Sequence, residues 1–176
     1  MKIESALIIA VPEAEPLVRD LRERFDSSAA VGVPAHITIL YPFVPPGEIT
    51  SMVVAELREL FARFTAFEFT LPELRRFPDE VLYLAPSPAE PFKALIHAVA
   101  ERYPAYPPYG GGYSEVILHL TIADVDEVEQ LDDIEREFIN LYGAQLPVIA
   151  GASEVLLIEN TSGRWKTRQA FELSKQ

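Results

Sequence analysis

One tetrapeptide pattern occurs twice in this chain, as His36-Ile37-Thr38-Ile39 and as His119-Leu120-Thr121-Ile122. Side chains alternate faces along a β-strand, so each copy puts its His and Thr on one face and two aliphatic residues on the other. A polar pair is thereby presented on a strand anchored in a core. The surroundings repeat as well: a helix-patterned segment and a polar loop precede each copy, and another helix-patterned segment follows. This arrangement predicts two similar lobes, with the His strands brought side by side across a pseudo-twofold cleft.

The rest of the pattern fits that frame. Residues 3–11 form an apolar run of strand length, and Pro12-Glu13-Ala14-Glu15 opens a helix whose stripe is Leu17, Val18, Leu21 and Phe25. Residues 27–34 read as a polar loop, and Pro42, Pro45, Pro46 and Gly47 end the first His strand. A helix is expected over 48–64, then an antiparallel strand pair over 66–77 and 80–86 with Pro78-Asp79 as its turn. Phe92, Leu95, Ile96 and Val99 mark a helix over 90–103, and Pro104 to Gly112 breaks all regularity before the second His motif. Beyond it, 126–142 is a helix with Val128, Leu131, Ile134, Phe138 and Leu141 inside, and 146–150, 152–159 and 166–173 are strands. Strands and helices alternate throughout, so the class is α+β or α/β. No linker or low-complexity stretch divides residues 1–176, which are expected to form a single domain.

Composition narrows the partners. With 27 acidic and 15 basic residues the net charge is −12, which opposes the counterion-release binding that holds long nucleic acids. A nucleotide substrate should be small or meet a local basic patch. The absence of Cys excludes disulfides, thiolate metal sites and Cys nucleophiles. The opening Met1-Lys2-Ile3-Glu4-Ser5 leads into a run too short for a signal peptide or membrane span, so a cytoplasmic protein with no membrane and no stable protein partner is expected.

Two His on facing strands suggest a particular chemistry. In-line cleavage of a phosphodiester needs a base for the attacking oxygen and an acid for the departing one, on opposite sides of phosphorus. Imidazole, with an ordinary pKa of about 6.5, serves in either capacity near neutral pH. Thr38 and Thr121, on the same faces as His36 and His119, can donate hydrogen bonds to the non-bridging oxygens. The arrangement requires no metal. Metal binding by His36, His119 and Asp124 is disfavoured because Asp124 has the opposite strand parity to His119, and no ligand spacing such as His-Glu-x-x-His occurs.

The paired His-x-Thr-x tetrapeptides resemble the signature of the 2H phosphoesterase superfamily, which includes 2′-5′ RNA ligase-like proteins and RNA 2′,3′-cyclic phosphodiesterases. The likeness takes in Arg76-Phe77-Pro78, Val81-Leu82-Tyr83-Leu84 and Tyr106-Pro107-Pro108-Tyr109-Gly110-Gly111, and so runs along nearly the whole chain. It implies an α+β, bilobal, LigT-like fold: two pseudo-twofold-related lobes, antiparallel sheets lining a central cleft, and helices outside. It also implies catalysis without metal or cofactor, on a 2′,3′-cyclic or 2′-5′ phosphodiester of a nucleotide or short RNA. By this analogy His36 is proton donor and His119 proton acceptor, although branches of the superfamily exchange these roles. RNA ligation is the same chemistry in reverse, and a non-catalytic module that only binds a nucleotide phosphate is the reading from a different class.

Other residues are candidates for the substrate. Tyr103, Tyr106, Tyr109 and Tyr113 are interleaved with Pro and Gly next to His119, and their rings either stack on a base or belong to a plain connector. Among Arg75, Arg76, Arg164, Lys166 and Arg168, at least one should face a phosphate, Arg76 and Arg164 being the candidates. Trp165, next to the hairpin turn, is expected to pack on the sheet rather than to stack on a base. Tyr41, counted by two from Ile39, falls on the core face and is left out of the site. His97 lies one row from the apolar stripe of its helix and reads as a surface residue.

Overall fold

A computed structural model describes residues 2–78, 80–112 and 115–175. Strand β1 (Ser5–Ala10) has five buried residues in succession, as an apolar run covered on both faces should. It pairs antiparallel with β2 (His36–Leu40) on one side and with β7 (Glu154–Glu159) on the other, and β7 pairs in turn with β8 (Lys166–Glu172). The second sheet contains β3 (Phe67–Phe77), β4 (Val81–Ser87), β5 (Leu120–Asp124) and β6 (Val148–Ala152). The strand orders are β2-β1-β7-β8 and β5-β4-β3-β6, so both sheets are antiparallel and four-stranded, and each carries a His-motif strand at one edge.

The helices are α1 (Glu15–Phe25), α2 (Ser27–Ala30), α3 (Ser51–Phe61), α4 (Glu90–Arg102) and α5 (Val128–Tyr142). Thr50 caps α3 by accepting from the Val53 N–H at 3.3 Å. The short α2 replaces the start of the expected loop, because the Asp26 carboxylate accepts from the Ser28 N–H at 2.9 Å and supplies a cap. In α5 only Leu131, Ile134 and Phe138 of the expected stripe are buried, while Val128 and Leu141 are exposed. The row through Ile134 and Phe138 continues at four-residue spacing to Tyr142, whose ring lies 5.6 Å from Phe138, and this leaves Leu141 on the flank.

Helix α1 packs against β5 and α4 against β2, so the helix leading into each His strand backs the other His strand. One buried cluster accordingly draws on both sheets: Leu7, Ile9, Ile37 and Ile39 from the first, and Phe69, Leu82, Leu120 and Ile122 from the second. A smaller cluster of Ala6, Ile8, Val33 and Ile158 lies on the opposite face of the first sheet and floors a cleft. Among the described residues no helix is long and apolar enough to cross a membrane.

Candidate active site

His36, Thr38, His119 and Thr121 line one cleft of about 540 Å³. The alternation that brings them there is visible in the burial: His36 and Thr38 are half-buried, with Ile37 and Ile39 buried beneath them, and Thr121 is half-buried between buried Leu120 and Ile122. The two imidazoles are held alike. Nδ1 of His36 lies 2.7 Å from the Pro34 carbonyl oxygen, and Nδ1 of His119 lies 2.7 Å from that of Ile117. A carbonyl only accepts, so each ring donates its Nδ1–H and is left with Nε2 to exchange protons. Such an Nε2 is an acceptor in the neutral ring and a donor in the charged one.

The surroundings of the two rings differ. Burial pushes the His36 pKa down to about 4, against the opposing pull of the Pro34 carbonyl, and the nearby Arg22 pushes in the same direction as burial while Asp26 opposes it. Arg22 and Asp26 form a buried ion pair, with Arg22 Nη2 2.9 Å from Asp26 Oδ2 and 3.2 Å from the Val33 carbonyl oxygen. This pair fixes the wall of the cleft behind His36. His119 instead meets aromatic rings edge-on, Phe77 at 5.5 Å and Tyr83 at 5.8 Å between centroids.

Strand parity fails at the same place in both motifs. Ile8 pairs with Thr38 but Leu7 with Leu40, so Ile39 is an extra residue; Tyr83 pairs with Thr121 but Leu82 with Ala123, so Ile122 is extra. Such a bulge places two consecutive residues on the core side and reverses the alternation beyond it. Tyr41 and Asp124, each five residues after its His, therefore return to the cleft, and both line it. Counting by twos sends Tyr41 to the core and sets Asp124 against His119, and the bulges correct both. The signal was present in the sequence as a doubled apolar step, Ile39-Leu40 and Ile122-Ala123, ahead of a polar residue.

A family model for the 2′-5′ RNA ligase superfamily matches residues 10–164. The chain belongs to that superfamily. Its fold is similar to the crystal structure of Escherichia coli LigT complexed with 3′-AMP, with a TM-score of 0.61 at 14% identity over 98% of this chain and 99% of that one. It is also similar to a crystal structure of a phosphoesterase, with a TM-score of 0.54 at 17% identity, and to TT0787 of Thermus thermophilus, with a TM-score of 0.53 at 14% identity; each match covers 98% of this chain and 99% of the other. No curated protein matches the chain by sequence.

In this superfamily member the remaining candidates are dispersed. Arg76 is bound to Asp132 at 2.7 Å and Glu135 at 3.0 Å on α5, and Arg164 donates to the Ala30 carbonyl at 3.2 Å; neither lines the cleft. Arg75 pairs with Glu73, and Arg168 is taken up by Glu159 and the carbonyls of Pro46 and Ile49. Among the described residues the cation lining the cleft is Lys2, itself 2.9 Å from Glu4. Tyr103 and Tyr106 pack their rings on Phe43, at 5.1 and 6.1 Å, whereas Tyr109 lines a second basin beside His119. Tyr113 lies outside the described residues, as does Asp79 of the expected turn. Trp165 lines the cleft with its ring 6.4 Å from that of Tyr41, and the exposed His97 stands 3.4 Å from Glu101, away from the site. Among the described residues no three His, Asp or Glu side chains are grouped to hold a metal ion.

Proposed function

We propose that the cleft hydrolyses a 2′,3′-cyclic or 2′-5′ phosphodiester of a nucleotide or short RNA by metal-independent acid–base catalysis with His36 and His119. The observation that carries this reading is the matched pair of imidazoles, each donating Nδ1–H to a carbonyl two residues back and each lining the same cleft as its Thr. The phosphate lies between the rings. One Nε2 takes the proton of the attacking water, the other gives a proton to the departing ribose oxygen, and the Thr38 and Thr121 hydroxyls donate to the non-bridging oxygens, where charge grows.

The electrostatics favour His36 as the base and His119 as the acid, the reverse of the assignment by family analogy. His36, with its pKa pushed down to about 4, is neutral at pH 7 and ready to accept. That leaves the acid's part to His119, which shares its wall of the cleft with the Asp124 carboxylate. That a fold neighbour, LigT, is described in complex with 3′-AMP supports a ligand of nucleotide size.

The test is a panel of nucleoside 2′,3′-cyclic phosphates and 2′-5′ linked dinucleotides, incubated with the protein in EDTA and scored by product identity. Conversion to a single 2′- or 3′-monophosphate regioisomer is expected. Binding without turnover would replace this reading with a nucleotide-binding module, and turnover that EDTA abolishes and divalent metal restores would make the two His ligands instead.

A further inference from the structure

A second basin of about 500 Å³ adjoins the cleft and shares His119 and Asp124 with it. Phe77, Val81, Tyr109 and Ile117 wall it, Glu80 and Glu115 are its other polar residues, and no Lys or Arg lines it among the described residues. Tyr109 is held in the left-handed region at φ 51°, a conformation that costs a residue with a side chain about 1–2 kcal/mol. Its N–H donates to the Tyr41 carbonyl at 2.6 Å, which ties the loop to the end of β2 and keeps this wall in place. Strain retained at a cleft wall is a mark of a functional surface.

Asp124 stands where the two basins meet. Among the described residues no hydrogen bond or ion pair engages its carboxylate. The carboxyl is raised above its ordinary value by partial burial and by the neighbouring Asp26, Glu80 and Asp126, while His119 acts in the opposite sense. A flat, uncharged group offering N–H donors suits walls of this composition; a second phosphate would meet carboxylates with no cation to offset them.

Resting on the two-histidine reading, we propose that Asp124 is the specificity-determining residue: the second basin takes the uncharged base of a nucleoside, and Asp124, where the basins meet, disfavours substrates bearing a further phosphate at the 5′ position of that nucleoside. The site then acts on a nucleoside 2′,3′-cyclic phosphate with a free 5′-hydroxyl in preference to its 5′-phosphorylated form.

Steady-state kinetics on that pair of compounds test the proposal. The wild-type protein is expected to favour the 5′-hydroxyl compound by about tenfold or more in kcat/KM, mainly through KM, and Asp124→Asn should bring the ratio to within about threefold. Equal kcat/KM values in the wild type, or an unchanged ratio in Asp124→Asn, would overturn it. Should neither compound be turned over, the cyclic-phosphate arm of the two-histidine reading fails by itself, and calorimetric affinities for the same pair decide the selectivity. Discrimination that Asp124→Asn removes supports it, and equal affinities overturn it.

Discussion

The two motif strands share a backbone design and differ in what surrounds it. β2 and β5 both lie at a sheet edge, both take an extra residue directly after their Thr, and both orient their His through a carbonyl two residues back. In the first half-site His36 is enclosed beside the buried Arg22–Asp26 pair, and the residue five positions on is Tyr41, whose hydroxyl donates to Glu4 at 2.7 Å. In the second, His119 stands against two aromatic edges, and the residue five positions on is Asp124, at the junction of the two basins. The repeat of the backbone orients the two rings alike toward one cleft, and the differing neighbours make them inequivalent, as the proposed division into one acid and one base requires.

The strongest challenge to this comparison removes one ring at a time. His36→Ala and His119→Ala are each expected to lower kcat by about a thousandfold or more, and the double variant should be little worse than either single one, because the pair acts as a unit. A pH profile of kcat/KM in which one His variant retains most of the activity would show that the half-sites are not joint partners.

Thr38→Val and Thr121→Val keep shape while deleting a donor. Each should cost roughly ten- to a thousandfold in kcat if its hydroxyl steadies charge on the phosphate, with melting temperatures close to that of the wild type. A loss confined to one of the two would sharpen the comparison by identifying which half-site holds the oxygens.

The smallest effect concerns stability. Below about pH 6.5 His36 is charged in the unfolded chain, yet in the fold it stays neutral until about pH 4. The unfolded chain thus binds more protons in that interval, and stability falls as the pH drops from about 6.5 to 4, by at most about 3 kcal/mol from this residue. Denaturant titrations of wild type and His36→Gln across that interval should show a shallower fall in the variant. Parallel curves would mean that His36 is no more enclosed than an ordinary surface His.

Much of this was readable from local pattern. The echo of His-x-Thr-x singled out four residues that line one cleft, and the 3.6- and 2-residue periods located the strands and the main helices to within a few positions. The Arg candidates could not be sorted in this way, since a guanidinium goes to the carboxylates that the fold brings near it. For Arg76 these are Asp132 and Glu135, more than fifty residues away in sequence.

What the sequence alone determines here is what depends on neighbours along the chain: the alternation that gives His and Thr a common face, the apolar stripes, and the shortage of positive charge. Tertiary structure decided the rest. Which strands share a sheet, where the ladder admits an extra residue, and hence whether Tyr41 and Asp124 turn inward or outward all depend on pairing with β1 and β4. A one-residue slip in that pairing reverses every side chain beyond it, and its energetic cause lies in the partner strand and the core behind it.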